Sequence, residues 1–288
     1  MISTENQLSS ISEGHGIRGH LRLVCAPDSR GISILREQSF RAPIHLSKPH
    51  LDQDTLVLNV INPTAGLLED DRIEQEVTVQ SGGRLLLTSP SASRAHRVRN
   101  GWAAVSQIFR VKSGGFLEVL PEMFIPQAGA VYRQSTTLET EEGGDLLFFE
   151  SLAPGRVASG EVFRYTSLDW RTDLIVAEQQ CVRERYRIQP GSPSLASLQR
   201  LFPTAYYGSL IAVSTKLTSA NQCWELLRSY QSPTLWIGQS QLGHPNAWSV
   251  KWIAGDAPTM RATQTIIRES LYEVLGRKAP DLRRVAGR

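Results

Sequence analysis

Across residues 17–190 apolar and polar side chains alternate in short runs that break at paired glycines. Val77-Thr78-Val79-Gln80-Ser81 leads into Gly82-Gly83 and on to Arg84-Leu85-Leu86-Leu87. Phe109-Arg110-Val111-Lys112-Ser113 leads likewise into Gly114-Gly115 and Phe116-Leu117-Glu118-Val119. Residues 138–142 lead into Gly143-Gly144 and Asp145-Leu146-Leu147-Phe148-Phe149. The pairs begin at 82, 114 and 143, a degenerate repeat of 32 and then 29 residues. Paired glycines supply the positive φ of tight turns, and period-two alternation with β-branched and aromatic residues suits strands. A unit of this size cannot bury its apolar face alone and must stack on a neighbour. The pattern therefore predicts a mainly β chain of stacked β-hairpins or sheets, a β-helix-like repeat, with each glycine pair in a turn between antiparallel strands. Asn59-Val60-Ile61-Asn62 starts an earlier, irregular unit, and residues 163–180 read as at least one further hairpin.

The pattern changes after Gln189-Pro190-Gly191-Ser192-Pro193-Ser194, a breaker cluster read as a loop. Residues 205–215 suit a strand, and Trp236, Trp248 and Trp252 fall in strands broken near Gly243-His244-Pro245-Asn246. Two helices are expected here. Residues 219–230 carry Cys223, Trp224, Leu226, Leu227 and Tyr230 as an apolar stripe. A longer helix begins at Pro258-Thr259, where proline suits the first turn, and ends before Gly276; Met260, Thr263, Ile267, Leu271, Val274 and Leu275 line one face. The organisation predicted is a disordered lead-in over residues 1–16 and a single domain over 17–288, divided into stacked β repeats (17–190) and mixed strands and helices (191–288).

Composition narrows the function by exclusion. Of 288 residues 41% are hydrophobic and 20% charged, ordinary for a globular chain, and a net charge of +3 is too small to point to nucleic acid. No run approaches the roughly 18 consecutive apolar residues of a membrane span. The polar N-terminus lacks the basic-then-apolar plan of a secretion signal, so a cytoplasmic protein is expected. Cys25, Cys181 and Cys223 are odd in number and far apart, which argues against a disulfide framework and a zinc or redox pair. There is no phosphate-binding G-x-x-x-x-G-K-[ST] loop, G-x-S-x-G elbow, H-E-x-x-H helix or G-x-G-x-x-G turn. The six histidines form no i,i+4 pair, so no tight metal site is expected. Glu150 and Glu161 are a possible carboxylate pair, but one that 28 acidic residues would offer by chance. No catalytic residues are assigned.

Four segments carry more. Asn62-Pro63-Thr64-Ala65-Gly66-Leu67-Leu68-Glu69-Asp70-Asp71 resembles the N-P-T-G-G-L-x-G-G-D loop of the UreD/UreH urease accessory family. Leu85-Leu86-Leu87-Thr88-Ser89-Pro90-Ser91-Ala92-Ser93-Arg94 is similar to that family's L-L-T-T-Q/P-x-A-T/A-K strand and loop. Leu117-Glu118-Val119-Leu120-Pro121, with Ile125-Pro126-Gln127-Ala128-Gly129-Ala130, resembles its L-E-x-L-P…I-P-x-x-x-A. Ala153-Pro154-Gly155-Arg156-Val157-Ala158-Ser159-Gly160-Glu161-Val162-Phe163 matches G-R-x-A-S-G-E-x-F. The order and separations also match, from about residue 18 to the C-terminal arginines.

The resemblance implies a non-enzymatic accessory protein of urease maturation, a nickel-insertion chaperone. It would bind a UreF-type protein as a two-to-two hetero-oligomer, and through it a UreG-type GTPase, and dock on apo-urease. Nickel(II) would pass transiently, with no tightly bound cofactor, along an internal polar passage whose lining corresponds here to Asp71, Thr88, Glu150, Arg156 and Glu161. Oxygen ligands suit such a passage because they hold a divalent ion less firmly than a His/Cys cage. Local alternatives stay open: Asp71 and Thr88 as turn residues, Arg156–Glu161 as an ion pair fixing its loop, Glu118 pointing outward. So do two wider ones: a hydrolase or lyase using Glu150 and Glu161, and a scaffold for another metalloenzyme. Ala65, Glu69 and Asp70 replace glycines of the family loop, and a different loop path with more negative charge is expected.

Overall fold

The computed structural model describes residues 16–219 and 221–282, so most of the expected lead-in and the arginine-rich tail lie outside the described residues. The first strands are β1 (Arg18–Pro27), β2 (Ser33–Arg41), β3 (His45–Leu46), β4 (His50–Asp52) and β5 (Thr55–Ile61). Then come β6 (Arg72–Val79), β7 (Arg84–Thr88), β8 (Ser93–Ala95), β9 (Ala103–Val111) and β10 (Phe116–Leu120). They are followed by β11 (Phe124–Pro126), β12 (Val131–Thr140), β13 (Asp145–Leu152), β14 (Ser167–Val176) and β15 (Gln179–Ile188). The C-terminal part runs α1 (Pro193–Leu201), β16 (Tyr206–Val213), α2 (Asn221–Ser229), β17 (Leu235–Gln241), β18 (Ala247–Ala254) and α3 (Ala257–Val274).

Two sheets face one another. One has the order β15-β14-β12-β9-β6-β1-β2, the other β17-β18-β16-β13-β10-β7-β5-β3. Each repeat contributes one strand to each sheet, and the glycine pair turns the corner between them. The turns stack: the Gly82 N–H donates to the Gly114 carbonyl (3.3 Å) and the Gly114 N–H to that of Gly143 (3.0 Å). The first glycine of each pair has φ between +72° and +78°, where a side chain would be strained. The β-helix-like stack is therefore present, but the strands flanking a glycine pair are not hairpin partners. β6, β9, β12 and β14 pair in parallel in one sheet, and β7, β10 and β13 in the other. The physical reason lies in the second strand of each unit. Leu85-Leu86-Leu87 and Leu146 to Phe149 are continuously apolar, as parallel strands covered on both faces require. Antiparallel pairing occurs at the ends of the stack, as β1–β2, β14–β15, β13–β16 and β16–β18. A hairpin is present after the last glycine pair, but it is β14–β15 over residues 167–188, so the expected range 163–180 holds its first strand and only the start of its second.

One core lies between the sheets, around Leu58, Phe109, Leu138 and Leu174, and another between the second sheet and the helices, around Phe116, Phe149, Trp252 and Ile267. The two predicted helices are α2 and α3. A third, α1, begins inside the breaker cluster, because Pro193 sits in the first turn where no N–H is needed. The Asp256 carboxylate caps α3 by accepting from the Thr259 N–H at 2.7 Å. Glu118 corrects another expectation: it is fully buried and faces α3 rather than solvent. Arg268 donates to both its oxygens (2.6 and 3.0 Å), and the Tyr272 hydroxyl donates at 2.6 Å. No helix among the described residues is long and apolar enough to cross a membrane.

Candidate functional site

Parallel pairing in register lines up residues from successive repeats in rows. On the inner face of the first sheet Gln75 pairs with Gln107, Gln107 with Thr136, Thr136 with Thr172, and Thr172 with Glu184. Facing it, Glu150, Ser209 and Lys251 are register neighbours on β13, β16 and β18. Hydrogen bonds tie the rows together. Gln107 donates to Gln75 (3.3 Å), Gln134 to Gln107 (3.3 Å) and to Glu150 (2.6 Å), and the Trp170 indole to Glu150 (2.8 Å). Lys251 is ion-paired with Glu184 across the sheets. A polar band thus crosses an otherwise apolar core.

At one end the band lines a cavity of about 200 Å³ between the sheets, with Gln75, Thr88, Gln107, Gln134, Glu150 and Trp170 in its wall. Its rim is made by residues 62–67 and 89–94, among which Thr64, Pro90, Ser91 and Arg94 are exposed. The space is large enough for several waters. Burial pushes the Glu150 carboxyl up to about 7; the Trp170 and Gln134 hydrogen bonds and Lys251 oppose the shift, and Glu184 adds to it.

Of the five residues taken from the resemblance, Thr88 and Glu150 meet in this cavity. The Thr88 hydroxyl also donates to the Leu120 carbonyl (2.7 Å), so it serves a strand end as well. Asp71 is buried outside the cavity wall, and its two oxygens accept from the Ile17 and Leu68 N–H groups, both at 2.8 Å. Arg156 and Glu161 pair with each other in their own loop, where Glu161 also accepts from the Ala128 N–H (3.1 Å). Those contacts, Arg156 foremost, hold the Glu161 carboxyl down at about 2. A Cβ at Gly155 would come within 2.2 Å of the Glu161 carbonyl, so the loop closes only with glycine there. The altered part of the 62–71 loop also has a local account. Glu69 accepts from the Arg99 (2.9 Å) and Asn100 (2.7 Å) N–H groups, and Asp70 takes the positive φ (+64°) while pairing with Arg72 at 3.6 Å. The added negative charge is thus engaged by backbone donors and an arginine.

Gln75, Gln107, Gln134, Thr136, Thr172, Glu184, Ser209 and Lys251 were not singled out by the sequence reading. A signal for several was present: Gln75 interrupts the inward series Ile73, Val77, Val79, and Gln107 the series Ala103, Phe109, Val111. Among the described residues no three His, Cys, Asp or Glu side chains cluster as a metal-holding group. The band offers amides, hydroxyls and carboxylates spaced in a line, which suit a hydrated cation that moves on better than one that stays.

Comparison with known proteins agrees with the four matched segments. Residues 17–286 match the family described as UreD urease accessory protein. The chain is 40% identical over 272 residues to the urease accessory protein UreD of Opitutus terrae, covering 93% of this chain and 98% of the relative. It is 34% identical over 139 residues to that of Acetivibrio thermocellus (48% and 53% covered), and 27% over 198 residues to that of Lachnoclostridium phytofermentans (68% and 72%). With matches of this reach, the chain belongs to the UreD family of urease accessory proteins.

Proposed function

We propose that this chain is a non-enzymatic scaffold of urease maturation. It binds a UreF-type accessory protein as a two-to-two hetero-oligomer and, through it, a UreG-type GTPase, in the cytoplasm. Nickel(II) is its cargo, crossing the space between the sheets on the way to apo-urease. The observation that carries this reading is the polar band with the cavity at its end, inside a core that is elsewhere apolar. Buried polar groups weaken a core unless something needs them. Thr88 and Glu150 stand on the route; Asp71, Arg156 and Glu161 lie outside it and hold the loops of the two motifs they belong to. The hydrolase reading loses support, because Glu161 is ion-paired in a loop outside the cavity that Glu150 lines.

Co-expression with urease structural and accessory genes tests both parts. Omitting this chain should leave urease largely without nickel and without ureolysis; full nickel loading in its absence would refute the accessory role. Glu150→Gln keeps the size and accepting oxygen but removes the charge. It should still co-purify with the UreF-type partner while nickel per urease falls several-fold. Normal loading by that variant would remove Glu150 from the route.

A further inference from the structure

The end of the band away from the cavity is built differently. Glu184 and Lys251 meet there as an ion pair between the edge strand β15 and β18. Their side chains grade from solvent inward: Lys251 is 41% exposed, Glu184 17%, and Glu150, one register row beyond Ser209, is buried. Thr172, the direct register partner of Glu184, is 2% exposed and its hydroxyl has no hydrogen-bond partner. The Ser249 hydroxyl, two residues from Lys251 on the same face, is 4% exposed and likewise unpartnered. Buried hydroxyls left unpaired are costly, and the Thr172 hydroxyl stands directly across the strand pair from the Glu184 carboxylate. Directly opposed strand residues have Cβ atoms about 5 Å apart, so the Thr172 hydroxyl and Glu184 carboxylate can share one ion.

The group that faces this carboxylate is itself a cation. A lysine ammonium is a compact point charge on a flexible stem, and its partial exposure lets it swing into water without any backbone movement. Taking the band as the ion's route, we propose that Lys251 is a tethered cation that keeps closed a divalent-cation site made by Glu184 and Thr172, at the end of the band away from the cavity. A hydrated divalent ion reaching that end exchanges with the ammonium: the ion takes the Glu184 carboxylate and Thr172 oxygen, and Lys251 moves out to solvent. The charge at the pair then rises by one unit, which favours onward release over retention. The oxygen-only ligand set keeps binding weak in either direction.

The test is nickel uptake by the purified full-length chain in equilibrium dialysis against nickel chloride. Lys251→Met and Lys251→Gln each remove the tethered charge, and each should bind one nickel ion per chain at least tenfold more tightly than wild type. Adding Glu184→Gln to either should abolish the gain, and Lys251→Arg should show none. In the wild-type chain, labelling of Lys251 by an amine-directed acylating reagent should rise with added nickel and not with added potassium. The proposal is overturned if a folded neutral variant binds no more tightly than wild type, if the gain survives Glu184→Gln, or if nickel leaves Lys251 labelling unchanged. These readouts involve no urease, so their failure leaves the Glu150→Gln loading test standing, and failure of that test leaves this site to be judged on uptake alone.

Discussion

Two buried carboxylates on neighbouring strands of the same sheet meet opposite conditions. Glu118 on β10 faces the helices, and Glu150 on β13 faces the other sheet. Glu118 is matched by a full charge: both oxygens accept from Arg268, the Tyr272 hydroxyl adds a third bond, and the guanidinium also donates to the Pro280 carbonyl (3.3 Å). Glu150 receives only neutral donors, the Gln134 amide and Trp170 indole, both on one oxygen. The first arrangement is complete and locks α3 to the sheet. The second leaves charge uncompensated and a cavity beside it. Burial alone therefore does not mark a carboxylate as functional; the identity of its donors separates the two.

The largest effect should come from breaking the completed pair. Arg268→Leu strands a buried charge and should lower the unfolding free energy by about 3–5 kcal/mol in urea titration, with Glu118→Leu/Arg268→Leu recovering most of it. A single-variant loss below about 1 kcal/mol would mean that the pair is not what fixes α3.

The next effect has the opposite sign and depends on pH. Glu150 titrates at about 7 in the fold and at 4.5 as a free carboxyl. Folding thus takes up a proton between those values, so stability from this group is complete below pH 4.5 and is lost as pH rises through 7. The loss is of order 3 kcal/mol. Glu150→Gln should be more stable than wild type at pH 8, with the difference vanishing near pH 4.5. A gap that does not change with pH would place the effect in packing instead.

The smallest effect belongs to the surface pair. Glu161 is held low, so its contribution is present above pH 4.5 and lost as pH falls towards 2. Glu161→Gln should quicken amide exchange at Ala128, its hydrogen-bond partner, and leave the global melting temperature unmoved. A global loss comparable to that of Arg268→Leu would show the loop to be part of the main cooperative unit.

These contrasts also mark what could be read in advance. The glycine pairs, their spacing and the helices α2 and α3 were legible because turn chemistry and periodicity are local. Pairing was not, since a strand's partner lies one repeat away and alternation looks alike in a hairpin and at a coil corner. The band was hidden for the same reason: Gln75, Gln107, Thr136, Thr172 and Glu184 come from five strands, and only register makes them neighbours. Asp71 and Glu161 were visible as polar residues in matched motifs. Whether such a carboxylate faces a cavity or accepts from backbone N–H groups depends on loop closure, which a glycine such as Gly155 permits without announcing its direction.

The change from parallel to antiparallel pairing at both ends of the stack has a consequence for assembly. A parallel β-coil is an open-ended polymer in principle, since each exposed coil is a template for the next one, from the same chain or another. Here β2 closes one end of the first sheet antiparallel to β1, and β15 the other antiparallel to β14. β2 shows Arg36, Glu37 and Arg41 to solvent, and β15 shows Arg183, Arg185 and Arg187. Charged, direction-reversed edges are poor seeds for end-on addition. The chain thereby stops at a fixed number of coils and stays discrete, instead of growing into a fibre.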